Sequence, residues 1–303
     1  MKKIYVVIVT YNGRKWYDNC FGSLRYSTIP IQTIVIDNAS TDDTISYIKE
    51  NYPEIHLIES DKNLGFGKAN NIGMKYALEQ EADYVYLLNQ DAWIDPSAFE
   101  KLILCHQNHP EYGILSPMQV TAKGDKLDKN FSLRCNSRDC PNLVDDLYFG
   151  TLREVYEIDR IMAAHWLISR ECLIKVGGFA PLFSHYGEDD NFSDRATFHH
   201  FKTGIVPKVK AVHDREFREA SFNKDIYLSF TSFLVNACNI NKNTFRALCF
   251  AKLLLIYNIT MQTIKHRTLL GFKYIFKSCV LIPNIISTRQ KTKNQEGAYL
   301  INQ

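Results

Sequence analysis

Residues 4–12 read IYVVIVTYN, a run of β-branched and aromatic residues that ends in polar side chains. Such a run favours a buried strand. Residues 32–42 read QTIVIDNASTD and repeat the pattern, because their apolar residues again end in polar ones. Two more strands are predicted at residues 55–59 and 84–88, with helical stretches of about ten residues between strands. The alternation predicts βαβ units with right-handed crossovers.

Four such units predict an α/β fold with a doubly wound, mainly parallel, Rossmann-like sheet. A last strand is expected at residues 204–212, and the predicted helices cover residues 16–26, 42–51, 67–79 and 96–109. Asp95 and Pro96 form the typical N-cap and first residue of that fourth helix. Residues 119–160 show no periodicity, which indicates a hairpin or a lid over the site.

The chain of 303 residues has 36 Lys and Arg against 33 Asp and Glu, a net charge of +3. Its 46% of hydrophobic residues can bury a large core, which excludes a mainly disordered or fibrous protein. The charge is unevenly distributed, since residues 226–295 contain no acid and ten basic residues. This distribution predicts an anionic partner for the C-terminal part.

The eight cysteines form no CxxC pair, so a disulfide framework is not expected. Cys135 and Cys140 are close in sequence, but a zinc site would need two more ligands nearby. The apolar run at the N-terminus is too short for a signal peptide. These features predict a cytosolic protein with reduced thiols.

Polar residues follow each of the first four predicted strands, and in a doubly wound sheet such positions share one crevice. Asp37 can accept hydrogen bonds from a ribose or a base, or it can serve as a turn residue. The loop NLGFGKANN at residues 63–71 either presents N–H groups to an anion or is a glycine-rich connector. Asp91 follows a buried strand and suits Mg²⁺ or Mn²⁺ on a diphosphate.

Three adjacent carboxylates, Glu188, Asp189 and Asp190, follow Tyr186-Gly187. Their mutual repulsion would raise the pKa of one of them, which suits a general base. An acidic helix N-terminus accounts for the same residues, and the two interpretations are compatible. His213 ends the last predicted strand and is a candidate metal or phosphate ligand, although a lone histidine is more often structural.

Together and in chain order, these segments resemble family 2 glycosyltransferases with the GT-A fold. The matching segments are VIVTYN (7–12), VIDNASTD (35–42), NLGFGKANN (63–71), LNQD (88–91), GGF (177–179) and YGED (186–189). The resemblance covers residues 2–214. Its Asn-x-Asp motif and its Asn-Leu-Gly-Phe-Gly loop are similar to the rhamnosyltransferase-like enzymes of bacterial surface polysaccharides.

The resemblance implies an inverting, metal-dependent transfer of a sugar from a UDP- or dTDP-linked donor to a hydroxyl of a glycan or lipid-linked acceptor. Asp189 would be the catalytic base, and Asp91 with His213 would hold Mg²⁺ or Mn²⁺. The residues that it places at the donor are Thr10, Tyr11, Asn12, Asp37, Asn38, Asn63, Gly65, Lys68, Asn71, Asn89, Gln90 and Asp91. Those expected at the acceptor are Trp166, Tyr186 and Glu188.

The chain departs from the family pattern at three points. Asn89 replaces the first carboxylate of the metal motif, which predicts a modest metal affinity. Asn191 stands where many relatives carry a further acid. The sequence contains no Gln-x-x-Arg-Trp motif, which argues against a processive synthase.

Two apolar helices are predicted at residues 244–261 and 268–282. Arg246, Lys252, Lys273 and Lys277 interrupt them, so neither is expected to span a membrane. We expect this region to lie on anionic lipid at the cytoplasmic face of the inner membrane, near a lipid-linked acceptor. Packing on the core, or on the second subunit of a homodimer, is the alternative.

The expected domains are a catalytic domain at residues 1–225 and a helical, basic region at residues 226–303. The catalytic domain divides into a nucleotide-binding half (1–118) and an acceptor half (119–225). A non-catalytic nucleotide-sugar-binding protein and a sugar nucleotidyltransferase remain as alternatives, although the second would need a basic, glycine-rich phosphate loop near the N-terminus. No nucleic-acid partner is expected.

Overall fold

The computed structural model describes residues 2–215 and 221–300, so the last three residues of the predicted C-terminal region lie outside it. The strands are β1 (Ile4–Thr10), β2 (Gln32–Asp37), β3 (His56–Glu59), β4 (Tyr84–Asn89), β5 (Ala92–Ile94), β6 (Ile114–Val120), β7 (Tyr156–Glu157), β8 (His165–Ser169) and β9 (Thr203–His213). The helices are α1 (Tyr17–Arg25), α2 (Thr44–Asn51), α3 (Phe66–Glu79), α4 (Ala98–Asn108), α5 (Lys129–Arg134), α6 (Leu143–Phe149), α7 (Arg170–Val176), α8 (Glu188–Phe198), α9 (Phe222–Cys238), α10 (Thr244–His266), α11 (Phe272–Val280) and α12 (Ile282–Asn294).

The described strands form one sheet in the order β3-β2-β1-β4-β8-β6-β9-β5, with β7 beside β9. β1 runs parallel to β2 and β4, and β2 runs parallel to β3. The predicted α/β fold and its first four parallel strands are therefore confirmed. The second half is mixed, because β8 is antiparallel to both β4 and β6, whereas β6 and β9 are parallel.

Alternate residues of the central strands pack on opposite faces of the sheet, as the pleat requires. Val7 and Leu87 point to one apolar layer, which includes residues of α3 and α7. Ile8 and Leu88 point to the other, which includes residues of α1 and α4. The apolar runs of the sequence are thus buried on both sides.

Residues 119–160, where a hairpin or a lid was expected, begin with a short antiparallel bridge between Val120 and Leu127 and continue as the short helices α5 and α6 and the strand β7. A lid over the site stays a prediction. One local prediction is wrong. Helix α4 has Ser97 as its N-cap residue, and Asp95 contributes only its carbonyl, which accepts from the Ala98 N–H at 3.0 Å. The Asp-Pro pair therefore forms the turn before the helix.

The C-terminal helices form a layer on the catalytic body. Helix α9 packs against α8 and α10, and the chain then returns to the body, where the Ala298 carbonyl accepts from the Gly178 N–H at 2.8 Å. Leu300 is buried in the main core. Helix α10 is longer than predicted, and by length and composition alone it is apolar enough to cross a membrane.

Candidate active site

Hydrogen bonds tie together the loops that follow β1, β2 and β4. The Tyr11 N–H donates to Gln90 Oε1 at 2.9 Å, and Gln90 Nε2 donates to the Tyr11 carbonyl at 3.2 Å. Asn12 adopts a φ of 47°, which asparagine tolerates, and its Oδ1 accepts from the Thr41 N–H at 2.8 Å. A Cβ at Gly13 would lie 2.2 Å from Gln90 Oε1, so a larger residue here would displace the Gln90 amide. The loops that follow β1, β2 and β4 are therefore adjacent, as a shared crevice requires.

Asp37 serves the turn after β2. Its buried carboxylate accepts from Thr10 Oγ1 at 3.1 Å, from the Ser40 N–H at 2.9 Å and from Ser40 Oγ at 2.6 Å. Both carboxylate oxygens are occupied inside the protein, and Thr10 is itself fully buried. The structure therefore does not support the expected donor contacts of the Thr10 and Asp37 side chains, and the turn interpretation of Asp37 holds.

Asn38 and Asn63 fasten the glycine-rich loop to the end of β2. Asn38 Nδ2 donates to Asn63 Oδ1 at 3.0 Å, and Asn38 Oδ1 accepts from the Leu64 N–H at 2.7 Å. Asn63 Oδ1 also accepts from the Gly65 N–H at 2.9 Å. Asn38 is buried and so holds the loop in place, whereas Asn63 and Lys68 are exposed at the start of α3.

Two further site predictions fail because the side chains are used inside the core. Asn71 Nδ2 donates to the Phe179 carbonyl at 2.9 Å, and Asn71 Oδ1 accepts from the Phe179 N–H at 2.7 Å. Trp166 is fully buried, with its ring centroid 5.6 Å from that of Phe192. Asn71 is therefore a structural residue instead of a donor contact, and Trp166 is not accessible to an acceptor.

Asp91 and His213 meet because β5, which begins directly after Asp91, pairs with the end of β9. Ala92 lies opposite His213 in that pairing, and the Asp214 N–H donates to the Asp91 carbonyl at 2.8 Å. Asp91 Oδ1 then lies 3.4 Å from His213 Nε2. Burial alone would raise the pKa of Asp91, but the hydrogen bond and charge of His213 lower it overall. The carboxylate therefore stays ionised.

A second, buried histidine, His165, packs against the His213 ring. His165 Nε2 faces the Val212 carbonyl at 2.9 Å, and His165 Nδ1 faces the Tyr86 hydroxyl at 2.9 Å. The carbonyl can only accept, so Nε2 carries the proton and Nδ1 accepts from Tyr86. Burial lowers the pKa of His165 to about 3, so the ring is neutral. The His165 and His213 rings pack edge to face with centroids 6.4 Å apart.

The Asp91–His213 pair fits a divalent cation. One carboxylate oxygen and one imidazole nitrogen lie 3.4 Å apart and could ligate the same ion, and the carboxylate suits Mn²⁺ or Mg²⁺. In residues 2–215 and 221–300 no group of three or more His, Cys, Asp or Glu could hold a metal. The remaining ligands of an ion held by this pair would include diphosphate and water oxygens.

Arg215 sets the state of the His213 ring. Its guanidinium donates to His213 Nδ1 at 3.3 Å and to Asp128 Oδ2 at 3.2 Å. A guanidinium can only donate, so Nδ1 accepts here and the ring proton lies on Nε2, towards Asp91. An ion held by Nε2 would need that proton elsewhere, so Arg215 would have to release the ring.

The other acidic group occupies the first turn of α8. Gly187 precedes it with a φ of 83°, and Glu188 is buried with its Oε2 unpartnered within the described residues. Asp189 accepts hydrogen bonds from the backbone N–H groups of Asp190 and Ala163. Burial raises the pKa of both Glu188 and Asp189, and the negative charge of the following acid raises each further.

Backbone contacts connect the two acidic groups. Ala163 bonds to Asp189, and the next residue, Ala164, accepts from the Asn89 N–H at 3.1 Å at the end of β4. On the other side, a Cβ at Gly67 would lie 3.8 Å from Glu188 Cβ, so the glycine-rich loop borders the acids. The structure thus brings Asp91, His213 and Asp189 to one edge of the sheet. Asp37 lies at the same edge, but its side chain is buried.

Sequence reasoning missed the residues that position these groups. Arg134 donates to Asp190 Oδ1 at 3.4 Å, and Arg160 binds both carboxylate oxygens of Asp194 at 2.7 Å. The partners of the two pairs are 56 and 34 residues apart. Both arginines lie in the stretch without periodicity, so no sequence signal links them to the aspartates of α8. Tyr186, with a φ of 67°, lies in the turn before the acids, and its acceptor role stays a prediction.

Comparisons with known proteins show the family of the chain. The family model described as Glycosyl transferase family 2 matches residues 5–175, more than half of the chain. The N-acetylglucosaminyl-diphospho-decaprenol L-rhamnosyltransferase of Mycobacterium tuberculosis is 25% identical over 239 residues, which cover 69% of this chain and 75% of that protein. The dTDP-rhamnosyl transferase of Shigella flexneri is 26% identical over 212 residues, covering 69% and 68%.

A solved structure supports the fold. The mannosyltransferase of Pyrobaculum calidifontis in complex with GDP-Man and Mn²⁺ superposes with a TM-score of 0.58 at 16% identity, and the match covers 99% of this chain and 85% of that one. At this identity the likeness concerns the fold alone. The expected GT-A fold is confirmed.

Proposed function

The chain belongs to glycosyltransferase family 2, and on that premise we propose that it is an inverting, metal-dependent enzyme that uses a nucleoside-diphosphate sugar. The observation that carries the proposal is the placement of two unlike acidic groups at one edge of the sheet. Asp91 is ionised beside His213, and Asp189 has a raised pKa at the start of α8.

The donor side is built from Asp91, His213 and the loops tied by Gln90. Asp91 and His213 would hold Mg²⁺ or Mn²⁺, which when bound neutralises charge on the departing diphosphate. The exposed Tyr11 and Asn12, the exposed Asn63 and Lys68, and the N–H groups at the start of α3 are the candidate contacts of the nucleotide. Gln90 orients the loop after β1 through its two hydrogen bonds with Tyr11.

Asp189 is the proposed catalytic base. A raised pKa makes the Asp189 carboxylate a stronger base, so it accepts the proton of the acceptor hydroxyl more readily. Asp189 takes the proton of the acceptor hydroxyl as that oxygen bonds to the anomeric carbon, while the bond from the anomeric carbon to the diphosphate oxygen breaks. Attack from the side opposite the leaving group inverts the anomeric configuration.

The names of two relatives support the donor and acceptor classes. The Shigella protein is named for dTDP-rhamnose and the mycobacterial protein for a diphospho-decaprenol acceptor. We therefore propose a UDP- or dTDP-linked donor and a glycan or lipid-linked acceptor in bacterial surface polysaccharide assembly. A polyprenyl-linked acceptor would place the protein at the cytoplasmic face of the membrane.

The test is a panel of UDP- and dTDP-sugars, each with EDTA, Mg²⁺ or Mn²⁺, assayed by thermal shift and by release of nucleoside diphosphate. We expect one donor class to stabilise the protein and to turn over only with a divalent cation. Stabilisation by no donor would contradict the proposal, and turnover unaffected by EDTA would contradict its metal dependence. A product with retained configuration, measured by NMR, would exclude inversion.

A further inference from the structure

Helix α10 is apolar on two opposite sides. Its buried stripe repeats every four residues and consists of Ala247, Ala251, Leu255 and Ile259. This stripe fills the contact with α9. The opposite side presents Leu253, Tyr257 and Ile264, which are 68%, 62% and 67% exposed. A helix that is apolar all round is normally covered on every side, so the second side lacks its partner in the monomer.

Helix α11 and the preceding turn extend this exposed side. Lys252 of α10 donates to the Ile275 carbonyl at 2.8 Å, so the two helices lie against each other. Leu269 in the connecting turn is 74% exposed, and Phe272 and Phe276 on α11 are 43% and 72% exposed. We call these three residues, with Leu253, Tyr257 and Ile264, the apolar face. Soluble monomers rarely expose so many large apolar side chains on two neighbouring helices.

The helices that carry the apolar face are rich in basic residues. Arg246, Lys265, Arg267, Lys273 and Lys277 belong to the same helices and their connection, and residues 226–295 contain no acid. Among them Lys265 has an acidic neighbour, Asp225, 4.0 Å away. Apolar side chains bordered by cations match the boundary between the acyl chains and the headgroups of an anionic bilayer.

We propose that the apolar face docks on the surface of an anionic membrane, with α10 and α11 lying in its plane. A second copy of the chain is the less suitable occupant, because a symmetric contact would bring five cations against the same five cations. A bilayer of anionic lipid supplies the opposite charge and also covers the apolar side chains.

Helix α10 lies on the membrane instead of crossing it. Crossing would expose the buried stripe to lipid and would separate α10 from α9, against which that stripe packs. It would also strain the bonds of Lys252 to the Ile275 carbonyl and to Ser278 Oγ, which join α10 to α11. These contacts keep α10 in the helical layer.

The same helical layer supports the loop that carries the proposed base. Tyr227 of α9 donates to the His185 carbonyl at 2.7 Å, and a Cβ at Gly187 would lie 2.7 Å from Thr231 of α9. Docking would therefore hold this loop near the membrane. This consequence rests on the proposed function, since only a lipid-linked acceptor makes the location useful.

The experiment compares cosedimentation of the full-length protein with vesicles of pure phosphatidylcholine and with vesicles that contain phosphatidylglycerol. Wild type should bind the anionic vesicles. The variant Leu253→Glu/Phe276→Glu should lose that binding, and Lys273→Glu/Lys277→Glu should weaken it by roughly tenfold or more. The matched controls should bind like wild type: Leu104→Glu changes an exposed leucine of α4, and Lys208→Glu/Lys210→Glu changes exposed lysines of β9.

Binding that is unchanged in both α10–α11 variants would overturn the proposal, as would a wild type that ignores anionic vesicles. A wild-type dimer that Leu253→Glu/Phe276→Glu dissociates, without vesicle binding, would assign the face to a second copy. Thermal stabilisation by UDP or dTDP is measured on every variant. Retained stabilisation shows that the catalytic body is folded, and separates a failure of docking from a failure of the proposed function.

Discussion

The two acidic groups at the edge of the sheet differ in their electrostatic surroundings. Asp91 is desolvated, which raises its pKa, but contact with His213 outweighs that effect and the pKa is lowered. Glu188 and Asp189 are also desolvated, yet their nearest charged neighbours are other acids, and their pKa values are raised. Residues of similar type thus differ in charge state because of their neighbours.

The proposed roles of the two groups follow from this difference. A carboxylate that remains ionised can hold a cation, whereas one with a raised pKa can accept a proton near neutral pH. In the part of the chain that the structure describes, Glu188 and Asp189 have no basic partner, but they lie in the first turn of α8. The helix dipole favours negative charge there, although it does not neutralise that charge.

The largest effect is expected from removal of the base. Asp189→Asn should lower kcat by about 10²–10⁴-fold, because the acceptor hydroxyl loses its proton acceptor. Affinity for UDP or dTDP in the presence of Mn²⁺ should stay close to that of wild type. Steady-state kinetics and calorimetry measure the two quantities.

The matched control for this variant is Asp190→Asn, which changes the next acid but leaves the base. Asp190 already contacts Arg134, so its loss should have a much smaller effect on kcat. Equal losses of kcat in both variants, or a loss of nucleotide affinity in Asp189→Asn, would remove Asp189 from the role of base.

The next largest effect is expected at the other acidic group. Asp91→Asn keeps the size of the side chain but removes the charge that a cation needs, so Mn²⁺ affinity should fall by at least about 10- to 100-fold. Electron paramagnetic resonance of free Mn²⁺ measures this directly, without turnover. Mn²⁺ binding that survives in Asp91→Asn would place the ion elsewhere.

A smaller loss is expected from the support behind His213. His165→Gln removes a fully buried ring that bonds to Val212 and packs on His213, so Mn²⁺ affinity should fall by roughly tenfold. Tyr86→Phe removes only the hydroxyl that donates to His165, so its effect should be smaller. A folded His165→Gln protein with wild-type Mn²⁺ affinity would show that the ring has no positioning role.

The pH dependence of kcat distinguishes the two acidic groups. A base with a raised pKa becomes protonated at a higher pH than an ordinary aspartate, so kcat should fall as the pH is lowered through that raised value. Asp190→Asn removes a neighbouring negative charge and should move the acidic limb to lower pH. Arg134→Gln leaves Asp190 uncompensated and should move it to higher pH. An acidic limb that neither change moves would belong to another group.

The smallest effect concerns stability. The folded-state pKa of Glu188 is raised, so the folded protein binds the proton more tightly than the unfolded chain does, and stability should fall as the pH rises above 4.5 towards about 8. Glu188→Gln does not titrate, and its melting temperature should decline less over this range, by a few degrees. Parallel melting curves of the two proteins would contradict this.

The sequence predicted the parts of the molecule that depend on local patterns. β1, β2 and β4 follow from apolar runs that end in polar residues, and Asp91 and His213 were identified because each ends such a run. What could not be predicted depends on contacts between distant residues. Asp37 and Asn71 look like ligands in their motifs, but partners such as Ser40 and Phe179 occupy them.

The unpredicted elements have the same origin. β8 lies antiparallel between β4 and β6, and the short β5 is defined only by its pairing with β9. Neither arrangement has a periodicity of its own. The second, exposed side of α10 was also hidden, because its residues are as apolar as those of the buried stripe.

The most direct test of the two roles is a calorimetric titration of UDP and dTDP, with and without Mn²⁺, into wild type, Asp91→Asn and Asp189→Asn. We predict that Mn²⁺ strengthens nucleotide binding to wild type and to Asp189→Asn, and has little effect on Asp91→Asn. The reverse result, with Mn²⁺ still effective in Asp91→Asn and ineffective in Asp189→Asn, would contradict the assignment of the cation to Asp91 and of the proton to Asp189.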